Sequence, residues 1–203
     1  MKRQHVVRLC RAGVFAALYV ALTYVTASVA ISEIQFRPSE ALTMLPLVFP
    51  EAVPALFIGC LIANWLAGGA ILDIILGSLV TLAAAVLTLL VGKTVRNFKL
   101  SLFVGGLFPV LLNAFLLPGI WRLAYGQQEY VYMLNVAFLI ASQSIVIYPL
   151  GVPLTVAAKA YLNRFGMRRQ TATASEQGSA HDTTSLPEDG NASRTQDDGK
   201  GDL

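Results

Sequence analysis

The sequence predicts an all-α integral membrane protein, a bundle of six transmembrane helices with both termini in the cytoplasm. Three observations carry this. Mean hydropathy is +0.61. Charged residues make up 13% of the chain, about half the share of a soluble domain. Of the 12 acidic residues, only Glu33, Glu40, Glu51, Asp73 and Glu129 precede the polar tail. So few acids cannot solvate a normal protein surface, but such a body can sit in lipid. The basic residues flank apolar stretches and do not gather on one soluble element, which argues against a nucleic-acid partner.

A helix needs about 20 apolar residues to span the hydrocarbon core. The first such stretch runs from Ala12 to Ile31, after a basic cytoplasmic segment, residues 1–11. Further apolar regions run from Ala41 to Leu66, Ile71 to Gly92, Leu100 to Pro118 and Tyr130 to Leu162. Basic clusters fix the sides, because Lys and Arg beside spans stay cytoplasmic. These clusters are Lys2, Arg3, Arg8 and Arg11; Lys93, Arg96 and Lys99; and Lys159, Arg164, Arg168 and Arg169. An even number of crossings must separate the first two, so one apolar region between them must be split. Ala41–Leu66 is the place, since it holds Pro46, Pro50, Glu51 and Pro54. Proline breaks helix hydrogen bonding, and an ionised Glu51 at mid-membrane costs about 2.5–3.5 kcal/mol on insertion scales. A turn at Phe49-Pro50-Glu51 near the cytoplasmic face removes both problems. A short helix from Glu40 to Phe49 then precedes a longer one from Ala52 to Leu66. Ten α-helical residues span only about 15 Å, so the short one must be tilted, extended by the loop or packed inside the bundle.

The outer loops are then Ser32–Ser39, Ala67–Asp73 and Gly119–Glu129. The transmembrane domain is residues 12–162, and 163–203 form a cytoplasmic tail. From about residue 170 the tail is polar and Ser/Thr/Asp/Gly-rich; it cannot bury enough apolar surface to order itself. A cleavable signal peptide ending at Ser28-Val29-Ala30 is the rival for the N-terminus, but its apolar run is too long.

The loop Ile34-Gln35-Phe36-Arg37-Pro38-Ser39-Glu40 is the most informative stretch. Ser39 and Glu40 suit a helix N-terminus, whereas Gln35 and Arg37 do not need one. A loop with donors and acceptors of both signs at the mouth of a bundle suits a polar heterocycle. Asn64, Asn113, Asn135 and Gln143 lie in apolar spans, where amides need partners. They either bond between helices or present a planar polar surface. Trp121, Tyr125, Tyr130 and Tyr132 form either an interfacial belt or a stacking platform. Gly13, Ala17 and Ala21 make a row of small residues on the first helix, with Ala12 and Ala16 beside it. Such a row admits another helix closely, inside the bundle or from a partner.

Cys10 and Cys60 form no paired motif, and small buried residues are expected at both. No histidine lies in the spans, so no metal or cofactor is expected. Gly92-Lys93-Thr94 lacks the glycine a phosphate loop needs at Leu87. No serine–histidine pair or twin-carboxylate site is visible, so the chain is not expected to be an enzyme. The alternatives are an ion-coupled secondary transporter, which lacks the mid-membrane carboxylates such a path needs, and a membrane-embedded enzyme.

The run Ile34-Gln35-Phe36-Arg37-Pro38-Ser39-Glu40-Ala41-Leu42-Thr43-Met44-Leu45-Pro46 resembles the QueT family. So do Phe49-Pro50-Glu51-Ala52-Val53-Pro54, Gly59-Cys60-Leu61-Ile62-Ala63-Asn64, Leu72-Asp73 and Gly77-Ser78-Leu79. The similarity covers about residues 8–165. It implies a substrate-binding S component of an energy-coupling factor (ECF) importer in the bacterial cytoplasmic membrane. Its ligand would be a queuosine precursor: 7-cyano- or 7-aminomethyl-7-deazaguanine, or queuine. Its partners would be a transmembrane T subunit and two ATPase subunits, with ATP hydrolysed on the partners only. Ala17 and Ala21, with Gly13, would meet the T subunit. Glu40 and Asp73 would accept the ligand's N–H groups and Arg37 or an amide would donate to its carbonyl. Gln35, Asn64, Asn113, Asn135 and Gln143 would complete the polar edge, and Trp121 or Tyr125 would cover the ring.

Overall fold

The computed structural model describes residues 2–27, 36–126 and 128–164. Their regular structure is all helical, with no strand among the described residues. The chain divides into two units, Met1–Tyr161 and Leu162–Leu203. Gln35, the end of the first apolar stretch, the proposed cleavage site and the tail from 165 onward lie outside the described residues.

Helix α1, Lys2–Ala27, runs continuously through the basic start. After it comes a 3₁₀ helix, Pro38–Leu47, with Arg37 as its N-cap and Pro38 in its first turn. The expected helix was Glu40–Phe49; the start moves because Pro38 already holds helical φ. Every residue from Ser39 to Pro46 is buried, so this segment threads the middle of the bundle. At about 2.0 Å per residue, ten residues reach about 20 Å, further than an α-helix of that length.

The chain reverses at Phe49-Pro50-Glu51, where the Ala52 amide donates to the Phe49 carbonyl, and enters α2, Ala52–Leu66. Helix α3, Asp73–Thr94, opens with the π turn Asp73–Gly77. The loop before it is only 67–70, so Asp73 belongs to the helix. Helix α4, Phe98–Tyr125, starts under an Asn97 cap and ends at Gly126, whose φ of 66° gives the left-handed stop. It runs straight through Pro109 and Pro118. The expected outer loop Gly119–Glu129 is therefore mostly helix. Proline only removes one amide donor, and in an apolar bundle neighbouring groups make that good. Helix α5, Glu129–Arg164, contains the π turn Ile147–Gly151 around Pro149, where the missing amide relaxes the helical register.

Among the described residues four helices are long and apolar enough to cross a membrane: His5–Thr26, Asp73–Thr94, Phe98–Ala124 and Glu129–Arg164. Ala52–Leu66 is a shorter apolar helix. Three close approaches build the interior. A Cβ on Gly59 would stand 3.1 Å from the Ala16 carbonyl oxygen, one on Gly92 3.1 Å from that of Leu47, and one on Gly151 2.9 Å from that of Ala41. Thus α2 lies against α1, while α3 and α5 lie against the 3₁₀ helix.

One end of the bundle gathers the basic residues. Arg11 pairs with Glu51 at 3.1 Å and lies over the Phe49 ring. Lys159 lies over the Phe98 ring. The proline-bounded turn therefore sits at the end where α1 begins, as the charge-parity argument requires.

Candidate functional site

Glu40 is the centre of a buried polar network. It lies in the first turn of the 3₁₀ helix and is almost fully buried. Tyr19, one face of α1, donates its hydroxyl to Glu40 Oε1 at 2.6 Å. Asn113, in the middle of α4, donates Nδ2 to Oε2 at 3.1 Å. A carboxylate taken out of water needs donors on both oxygens, and here two different helices supply them. One turn along α1, Thr23 donates to Ser39 Oγ at 2.8 Å. Ser39 thus faces α1 and does not cap the helix, a role that Pro38 in the first turn and Arg37 at the N-cap leave no room for.

A second part of the network lies beside it. Trp121 donates its indole N–H to Asp73 Oδ1 at 3.0 Å. The π turn at the start of α3 widens the helix and buries Asp73. Arg37 donates to Asn64 Oδ1 at 3.4 Å, and Asn64 Nδ2 points to Cys60 Sγ, as does the Thr81 hydroxyl. Gly77 lies where Asn64 and Asp73 meet: a Cβ there would stand 3.5 Å from both Asn64 Nδ2 and Asp73 Oδ1. The Arg37 charge is within electrostatic reach of Tyr19, Glu40 and Asp73. Hydrogen bonds thus tie Glu40 to α1 and α4, Asp73 to α4 and Arg37 to α2, and Gly77 brings Asn64 and Asp73 to one place.

The fold thus brings Arg37, Glu40, Asn64, Asp73, Asn113 and Trp121 together. Gln143 is buried on α5, and Asn135 is half-buried further toward its start. Tyr125 is the last residue of α4. Trp121 corrects an expectation. It is buried and its N–H donates to Asp73, so it is not a belt residue. Tyr130, by contrast, is exposed, while Tyr132 reaches the Phe115 carbonyl. Cys10 is exposed, against the expectation of a buried thiol, because α1 packs chiefly through Tyr19 and Thr23. Gly13, Ala17 and Ala21 are exposed, and a Cβ on Gly13 would meet nothing within 4 Å. Ala16 instead faces Gly59.

Sequence inspection missed Tyr19, Thr23, Cys60 and Thr81. The signal available was a tyrosine followed four residues later by a threonine in an apolar span, since a buried hydroxyl seeks a partner. Among the described residues no group of three His, Cys, Asp or Glu side chains could hold a metal ion. The arrangement offers mostly acceptors, with one guanidinium, inside apolar walls. Such a site can grip a polar molecule by its N–H groups.

No curated protein and no solved structure matches the chain. A family model described as QueT transporter matches residues 9–160. Together with the apolar helices, that match makes this chain a multi-pass membrane protein belonging to the QueT transporter family.

Proposed function

We propose that the chain is the substrate-capturing S component of an ECF importer and binds a queuosine precursor, a 7-deazaguanine, from the outer face of the cytoplasmic membrane. The observation that carries this is the pair of buried, hydrogen-bonded carboxyl groups Glu40 and Asp73, with half-buried Arg37 on Asn64 nearby, at the end of the bundle away from the basic cluster. On this reading six helices cross the membrane, counting the 3₁₀ helix and α2, and both termini lie inside. The ring N–H and exocyclic amine of the base reach Glu40 and Asp73, and Arg37 donates to its carbonyl. Asn64, Asn113, Asn135 and Gln143, with Gln35 from the preceding loop, complete the edge. Tyr125 covers the ring, and Trp121 holds Asp73 in place.

The transport step falls to partners: a T subunit in the membrane and two ATPase subunits that hydrolyse ATP. The exposed row Gly13, Ala17 and Ala21 supports a partner helix on α1, because none of the described residues covers it while Ala16 is used inside. The test is calorimetric titration of the detergent-purified chain with 7-deazaguanines, against riboflavin and thiamine as controls. Saturable binding of a deazaguanine alone, lost in Glu40→Gln, is expected. Binding of a control vitamin in its place overturns the assignment.

A further inference from the structure

The basic end of the bundle carries more positive charge than the fold neutralises. Among the described residues the acids are Glu40, Glu51, Asp73 and Glu129. Only Glu51 stands at that end, and Arg11 already holds it. Helix α3 ends at Thr94 and α4 begins at Phe98, so their short connection gathers Lys93, Arg96 and Lys99. All three are exposed. Gly92 packs on Leu47, just before the Phe49-Pro50-Glu51 turn, which puts this cluster at the same end as Arg11. Lys159 of α5 joins it, with Nζ 3.4 Å from the centroid of the Phe98 ring. A ring face attracts an ammonium but leaves its charge uncancelled, and no carboxylate among the described residues pairs with Lys159. Toward the middle of the bundle the surface turns apolar in register with these charges. Lys99, Phe103 and Leu107 follow at intervals of four and so stand one above another on α4. All three are exposed, Phe103 by 60%. Tyr148 of α5 holds Phe103 in place: its hydroxyl donates to the Phe103 carbonyl at 3.0 Å, and the two ring centroids lie 5.9 Å apart.

We propose that this α4–α5 seam is a binding site for one anionic phospholipid, its phosphate among Arg96, Lys99 and Lys159 and an acyl chain along Phe103 and Leu107. The site is separate from the polar network around Glu40 and does not depend on what that network binds. A phosphodiester carries a negative charge and oxygens that accept from ammonium and guanidinium groups. Basic groups between transmembrane helices at the membrane surface suit such headgroups. A zwitterionic headgroup brings a cation of its own, which returns positive charge to a cluster that already has too much. A soluble phosphate matches the charges but leaves the apolar row below them uncovered. An anionic lipid matches both.

The test titrates the full-length, detergent-purified chain with phosphatidylglycerol, phosphatidylcholine and soluble glycerophosphate. Native mass spectrometry counts what stays bound, and a thermal scan follows unfolding. Saturable retention of phosphatidylglycerol with a raised unfolding temperature is expected, and neither effect from the other two. Each basic group near a membrane surface contributes about 5-fold in affinity for anionic lipid. Lys99→Gln should therefore weaken phosphatidylglycerol about 5-fold, and Lys99→Gln with Lys159→Gln about 25-fold. Lys159→Arg keeps the charge and should bind as the native chain does, which separates lost charge from lost packing on Phe98. Lys99 is exposed, so its single variant decides the matter even where Lys159→Gln folds poorly. Arg8→Gln removes an exposed charge from α1, which packs on α2 and the 3₁₀ helix and not on this seam, and should leave the affinity unchanged. Equal retention of phosphatidylcholine, glycerophosphate binding as tight as the lipid's, or an equal loss in Arg8→Gln overturns the proposal.

Discussion

The two faces of α1 can be told apart by adding one methyl group to each. At Gly59 of α2, a Cβ would lie 3.0 Å from Tyr19 Cβ, 3.1 Å from the Ala16 carbonyl oxygen and 3.3 Å from Ala16 Cα. Two of these atoms are backbone, so no side chain can rotate away, and α1 itself must move. Overpacking of this kind costs about 1–3 kcal/mol. The higher helix propensity of alanine returns about 1 kcal/mol. Gly59→Ala should therefore destabilise the fold by up to about 2 kcal/mol. Gly13→Ala meets nothing within 4 Å and should stabilise it by up to about 1 kcal/mol. Because Tyr19 stands at the Gly59 contact and bonds Glu40, Gly59→Ala should also weaken ligand binding, while Gly13→Ala should not. Thermal unfolding of both variants in one detergent, with a ligand titration beside it, measures both effects. Shifts of the same sign and size would refute the assignment of an inner and an outer face.

Other expectations follow from single contacts. Trp121→Phe keeps an aromatic side chain, smaller by one ring, and removes the donor 3.0 Å from Asp73 Oδ1. It should cost about 1–3 kcal/mol, and the loss should shrink in an Asp73→Asn background. Arg11 and Glu51 keep side-chain exposures of 35% and 13%, and their 3.1 Å contact is ionic without hydrogen-bond alignment. A double-mutant cycle on this solvent-screened pair should give about 1 kcal/mol or less, falling as salt rises. Phe98→Leu should cost about 0.5–2 kcal/mol through the loss of the Lys159 contact, read as a lower unfolding temperature. Ala17→Leu should leave the unfolding of the isolated chain unchanged and reduce co-purification with a T subunit.

The sequence made the helices legible because a membrane demands long apolar runs and punishes charge. The Phe49-Pro50-Glu51 turn was legible for the same reason: prolines and an acid cannot sit at mid-membrane. The 3₁₀ form of Pro38–Leu47 was not, since an apolar segment buried on every side has no polar stripe to reveal its period. The continuation of α4 through Pro118 to Tyr125 was hidden too, because Pro-Gly normally marks a turn. In the site, Arg37, Glu40 and Asp73 stood out as rare charges among apolar residues. Tyr19 did not, because its partner is 21 positions away and only the fold brings them together. Trp121 was visible, but its spacing could not reveal that its N–H, and not its ring face, is what Asp73 uses. The register of the small-residue rows likewise needed Gly59, which shows that Ala16 is inside and leaves Gly13, Ala17 and Ala21 outside.

The most direct test concerns sides. The native Cys10 is exposed near the basic end of α1, and Phe36, beside Arg37, is exposed at the other end. A membrane-impermeant maleimide applied to intact cells should label Phe36→Cys in a Cys10→Ser background, and should reach Cys10 of the native chain only after permeabilisation. Labelling of Cys10 from outside, with position 36 reached only from inside, would turn the capture site toward the cytoplasm and contradict import.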